Sequence, residues 1–112
     1  MKITPLREQL VFQEKRLRQD DIGNEAAIWD DLFMRWCSCR PMALTESDGS
    51  ATKIVHNKVQ FTLRYDKKVL ALNSLTTRIY FRDQYYAIES LDGDTVPRRL
   101  IYVVATKEEI YD

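Results

Sequence analysis

Apolar and polar residues alternate along much of this chain with a period of two. The alternation breaks at clusters of Gly, Pro, Asn, Asp and Ser, which is how short strands and turns are written. The clearest run is Val59 to Tyr65 (VQFTLRY). Val59, Phe61, Leu63 and Tyr65 share one face, and Gln60, Thr62 and Arg64 the other. A first strand runs from Leu10 and Phe12 to about Arg18. Gln19 to Asn24 follows as a turn, with Gly23 free to take a positive φ.

Ala26 to Arg40 (AAIWDDLFMRWCSCR) admits two readings. Asp30–Asp31 could cap a helix starting at Leu32. Alternation from Phe33 onward, among aromatic and Cys residues, favours a long strand bulged near Asp30. Phe33, Cys37 and Cys39 then share one face, and Met34, Trp36 and Ser38 the other. Pro41 is expected to end this strand. Thr45 to Thr52 is small and polar, with no residue larger than Glu, and reads as a mobile loop.

Lys67 to Ser74 holds at most one helical turn. Thr76 to Leu91 (TTRIYFRDQYYAIESL) reads as a hairpin: Ile79 and Phe81 lead in, Arg82, Asp83 and Gln84 turn, and Tyr86, Ile88 and Ser90 lead out. Asp92–Gly93–Asp94 is a second turn, closed by Val96–Pro97. Leu100 to Thr106 is apolar on both faces, as a central strand is, and residues 107–112 form a frayed tail. The sum is five to seven strands with little helix. The fold class is therefore all-β: a small antiparallel β-barrel or sandwich, one domain over residues 1–112, with a long flexible loop after the second strand. Phe12, Trp36, Phe61, Leu63, Tyr86 and Ile88 are the expected core.

Composition narrows the function. The 112 residues are 45% hydrophobic and 30% charged, which suits one modest core. Lys plus Arg equals Asp plus Glu, 17 each, so no bulk field draws the chain to nucleic acid. The opening MKITPLREQL lacks the apolar region of a signal peptide, and no apolar run is long enough to span a bilayer. Synthesis in a cytoplasm and no membrane partner are expected.

Candidate chemistry is thin. His56, the single histidine, has no nucleophile beside it and reads as a solvated loop residue. Cys37-Ser38-Cys39 has the wrong spacing for zinc and no second pair, so its thiols read as small packing hydrophobes. Asp30–Asp31 and Glu108–Glu109 are adjacent pairs whose members would point to opposite faces of a strand. No phosphate-binding loop or metalloprotease motif occurs. No catalytic residue, metal or cofactor is expected. One alternative is a nucleic-acid-binding β-barrel that stacks bases on Tyr80, Tyr85, Tyr86 and Tyr102 beside Arg78, Arg82, Arg98 and Arg99. Tyrosines in small barrels more often pack half-buried.

An ordered set of residues carries a resemblance over Leu6 to Glu108. Leu6–Arg7 opens a strand, Gly23 and Trp29 flank a turn, and Trp36 begins W-C-S-C-R-P. Phe61-Thr62-Leu63-Arg64-Tyr65 follows, then Ile79-Tyr80-Phe81-Arg82 leading to Tyr86-Ala87-Ile88-Glu89-Ser90, then an apolar strand. In this the chain resembles the phage head–tail joining family, also called head-closure, stopper or head–tail adaptor proteins. Family members often have Gly in the hairpin turn, where Arg82, Asp83 and Gln84 stand here, so a longer turn or another type is expected.

The resemblance implies a virion protein of the head–tail junction, made in the host bacterial cytoplasm, with no catalysis. It implies a ring, expected to be dodecameric, beneath the portal or adaptor ring. That ring seals packaged DNA in the capsid and offers a docking surface to a tail-terminator or tail protein. DNA passes through without sequence-specific binding. The loop of each subunit, here Thr45, Glu46, Ser47, Asp48, Gly49, Ser50, Ala51 and Thr52, would point into the channel as a gate.

Overall fold

The computed structural model describes residues 6–48, 51–93 and 99–108, with side chains for all of these except 43–48 and 51–56. Six strands and one helical turn follow in order: β1 (Glu8–Gln19), β2 (Glu25–Asp48), β3 (Ala51–Arg64), α1 (Lys67–Leu70), β4 (Thr77–Phe81), β5 (Gln84–Asp92) and β6 (Leu100–Lys107). Every pairing is antiparallel, and the strands close as β1-β2-β3-β6-β5-β4. Of the two expected architectures, antiparallel barrel or sandwich, the closed barrel is the observed one. Closure comes from β1 against β4, with Val11 opposite Tyr80 and Phe12 opposite Ile79.

Alternation places the core. Leu10 and Phe12 of β1, Cys37 of β2, and Phe61 and Leu63 of β3 point inward and are buried. Ile79 and Phe81 of β4, Tyr86 and Ile88 of β5, and Ile101, Val103 and Ala105 of β6 complete the lining, and Val69 of α1 joins them. Phe61 is central. Its ring meets Phe81 at 5.0 Å and Tyr86 at 5.5 Å, both edge to face, the arrangement that aromatic quadrupoles favour.

Trp36 corrects the expected core. The two faces of β2 are partitioned as alternation says, but the Cys37 face is the inner one. Cys37 is fully buried and Trp36 is 51% exposed. The register explains this. Cys37 lies opposite Leu63, whose side chain points inward, so its chain neighbour Trp36 must point out. The predicted bulge sits at Leu32, because Phe12 pairs with Phe33 while Gln13 pairs with Asp31.

Pro41 does not end β2. It lies opposite Val59, beyond Glu8 and Cys37 where β1 pairing stops, so β2 is there bonded on one side only. An edge of this kind tolerates a residue without an N–H. The expected loop is corrected as well. Thr45 to Asp48 belong to β2 and Ala51 to Thr52 to β3, paired Thr45 with Ile54, Glu46 with Lys53, Ser47 with Thr52 and Asp48 with Ala51. Gly49 and Ser50 lie outside the described residues, as do Asp94 to Arg98, including Val96–Pro97, and the tail from Glu109.

The β4–β5 turn has two residues, since Phe81 pairs with Gln84. Arg82 (φ 49°) and Asp83 (φ 62°) are both left-handed, the signature of a type I′ hairpin built without glycine. The turn is therefore of another type, not longer. α1 is a single turn capped by Asp66, whose Oδ1 accepts the backbone N–H of Lys68 at 2.8 Å.

Two ribbons leave the barrel from the two ends of β2. Pairing of β1 with β4 ends at Glu14 opposite Thr77, so residues 15–19 and 25–29 pair only with each other in the sheet. Pairing of β3 with β6 ends at Lys58 opposite Thr106, so residues 44–48 pair only with 51–55. The radius of gyration is 16.4 Å. A compact chain of this length has about 13 Å.

Candidate functional site

Where the barrel is closed its strands have no free edge, so contacts must come from its outer face, its ends, and the open edges of β2 past Cys37 and of the two ribbons. The outer face carries a row in register across four strands: Met34 (β2), Val11 (β1), Tyr80 (β4) and Tyr85 (β5). Met34 is 40% exposed, and the rings of Tyr80 and Tyr85 lie 5.2 Å apart. Leu32 and Trp36 extend this apolar band along β2, where both are exposed.

The adjacent row is polar. Gln13 Nε2 donates to Asp31 Oδ1 at 2.8 Å, and Arg78 Nε donates to Gln13 Oε1 at 2.8 Å. The Arg78 guanidinium is held between two rings, 4.1 Å from the centre of Trp29 and 3.8 Å from that of Tyr85. Burial lowers its pKa, and the Glu108 carboxylate 4.0 Å away opposes that. Trp29 belongs to the base of the β1–β2 ribbon, so this stack ties the ribbon to the barrel wall.

An open cleft lies where β1 begins and β3 ends. It is lined by Leu6, Trp36, Leu63 and Tyr65, with Arg7, Arg35, Arg64 and Asp66 among them. Arg35 Nε bonds Asp66 Oδ2 at 2.7 Å, and the guanidinium also covers the Phe33 ring at 4.2 Å. Burial alone would raise the Asp66 pKa, but the hydrogen bonds from Arg35 and from the Lys68 N–H outweigh it and the pKa is lowered. Arg7 and Arg64 are exposed and make no ion pair with a described residue.

The sequence-predicted residues are distributed as follows. Phe12, Phe61, Leu63, Tyr86 and Ile88 lie inside the barrel, and Trp36 lines the cleft. The predicted gate residues form the distal part of the β2–β3 ribbon, apart from the undescribed pair. The residues flanking Gly49–Ser50 are mostly Asp, Ser, Glu and Ala, which are weak strand formers, so the sequence carried no strand signal here beyond the turn-type Asp48–Gly49 pair. His56 is in β3 rather than in a loop, with its side chain outside the described set. Of the four tyrosines named for a base-stacking platform, only Tyr80 and Tyr85 meet, on the outer face. Tyr86 points inward, Tyr85 stacks on Arg78, and Tyr102 lies opposite Asp92 at the other end of β5.

Cys37 and Cys39 are free thiols. Burial pushes the Cys37 pKa up to about 12, with Cys39 and Glu8 adding to the rise against Arg82. Burial raises Cys39 as well. No group of three potential metal ligands occurs among the described residues, and none of their helices is long and apolar enough to cross a membrane. The residues of the cleft are scattered along the chain in no recognisable motif, so sequence reasoning did not find them as a site; Arg78 and Tyr85 were named only in the base-stacking alternative, without Trp29.

Comparison with known proteins gives three findings. The family model described as phage head completion protein matches residues 1–109. A chain in the virion of a native gene transfer agent particle is similar in fold, with a TM-score of 0.63 and 14% identity, over 97% of this chain and 100% of that one. The solution structure of protein SF1141 from Shigella flexneri 2a is similar with a TM-score of 0.65 and 20% identity, over 96% of each chain. No curated protein matches.

Proposed function

This chain belongs to the phage head completion protein family, and from that premise we propose that it is a head–tail connector subunit. It forms a ring beneath the portal or adaptor ring, closes the capsid on its packaged DNA, and presents a surface on which the tail docks. Its work is shape rather than chemistry.

The observation that carries this reading is the β2–β3 ribbon. Residues 44–48 and 51–55 extend past the last barrel pairings, so each subunit holds a projecting hairpin on a rigid base. Subunits around an axis would bring such hairpins together in the channel. Thr45 to Thr52 contains no aromatic residue, and the chain has no net charge to trap passing DNA. The barrel supplies the wall, and its apolar outer band offers contact area to neighbouring virion proteins.

The test replaces residues 46–53 with a two-residue turn and measures DNA retention in tail-less particles. The strand pairs below the cut remain, so folding and ring assembly are expected to survive. Filled capsids are expected to leak. Full retention would move the gate elsewhere and leave a ring that serves only to dock the tail.

A further inference from the structure

The two ends of β1 carry complementary surfaces. At the far end, the β1–β2 turn presents Ile22, 82% exposed, among Asp20, Asp21 and Glu25 with no basic residue between them. The turn is tightly built. Asp20 Oδ1 accepts the N–H groups of Ile22 and Asn24 at 3.0 and 2.8 Å, Gly23 N–H donates to Asp20 O at 3.1 Å, and Gly23 takes φ 86°. Ile22 is thus held outward before any partner arrives, which lowers the ordering cost of binding. At the near end lies the cleft, where Leu6 and the half-exposed Trp36 give apolar surface and Arg7 and Arg64 give positive charge without a carboxylate. Arg35 there is already neutralised by Asp66.

We infer that the Ile22 tip of one subunit seats in the Trp36 cleft of a second copy of the chain, with Asp21 and Glu25 facing Arg7 and Arg64. The occupant follows from charge and from geometry. An acidic apolar knob and a basic apolar cleft match in both respects. They cannot meet within one molecule, because Glu8 to Gln19 of β1 separates them by up to about 36 Å of strand. A contact between unlike patches at opposite ends repeats head to tail, and it closes into a ring when the rotation allows. The contact deepens the ring reading above and rests on it for its place in the virion.

The test uses two full-length variants with exposed, fold-neutral changes: Ile22→Lys, which removes the knob, and Arg7→Glu/Arg64→Glu, which reverses the cleft. Sedimentation and the Trp36 indole N–H signal are followed up to about 1 mM protein. The wild type is expected to grow beyond dimers with concentration, and each variant alone to weaken by at least about tenfold. A mixture of the two is expected to stop at a heterodimer, since one intact knob meets one intact cleft. Wild-type self-association that both variants retain overturns the contact, and so does a wild type that stays monomeric throughout. A Trp36 signal that moves with an added acidic polymer but not with protein concentration gives the cleft to another partner and also overturns it. None of these results bears on DNA retention by the shortened hairpin, which tests the connector reading separately.

Discussion

The guanidinium carbon of Arg78 lies 4.1 Å from the centre of the Trp29 ring, and this stack is where the β1–β2 ribbon meets the barrel wall. Tyr85 covers the opposite face of the same guanidinium at 3.8 Å. A planar cation suits that slot and a lysine does not. Arg78→Ala is expected to cost about 1–3 kcal/mol in chemical denaturation, from two stacked faces and the bond to Gln13. Arg78→Lys should recover little of it, and amides of residues 15–19 should exchange faster in both. Full recovery with Lys would mean that the stacking is idle.

Two large aromatic residues should behave oppositely. Phe61 is fully buried between Phe81 and Tyr86, so Phe61→Ala should cost about 3–5 kcal/mol. Trp36 is 51% exposed, and Trp36→Ala should cost under about 1 kcal/mol. Urea denaturation of both variants decides this. A large loss at Trp36 would place its ring in the core after all.

Gly93 should resist substitution. A Cβ there would stand 2.7 and 2.9 Å from the two Leu70 methyls and 3.2 Å from Ile101 Cγ1. Gly93→Ala is expected to lose about 1–2 kcal/mol. Leu70→Ala removes the obstructing methyls, so the double variant should lose less than the sum of the single changes. Strict additivity in a double-mutant cycle would show that the close approach is not what Gly93 provides.

The thiols should be slow and should make the fold sensitive to alkali. Cys37 is raised from 9.0 to about 12 in the folded chain. The unfolded chain releases this proton first, so stability is complete below about pH 9 and falls between there and about pH 12. Cys39, also raised, adds in the same direction. Thermal melts from pH 8 to 11 should show the fall, and Cys37→Ala/Cys39→Ala should lessen it, leaving the part that the raised Tyr86 and Tyr80 phenols contribute. Thiol titration at pH 8 should find Cys37 unreactive until denaturant is added. Fast labelling of Cys37 in native protein would contradict its burial.

The chain's own pattern determined a great deal here. Strict alternation at Val59 to Leu63 and at Ile79 to Ile88 specifies strands and their two faces, because side chains on a pleated strand must alternate. The turn signals at Gly23 and at Arg82 to Gln84 mark where those strands reverse. What alternation cannot supply is which face is the inner one. On β2 both faces are apolar, Phe33 and Cys37 on one and Met34 and Trp36 on the other, so hydrophobicity alone favoured the larger Trp36. The register opposite Leu63 decided for Cys37. Strand length was settled in the same way. Pro41 and the polar run from Thr45 are poor strand signals by themselves, yet the β3 ladder carries β2 past both to Asp48. Arg78 of β4 stacks on Trp29 of β2 only because β1 pairs with β4 and closes the barrel, and Arg7 shares a cleft with Arg64 only because β1 and β3 both pair with β2. Local sequence encodes local geometry, whereas a site made by strand pairing exists only once distant segments have met.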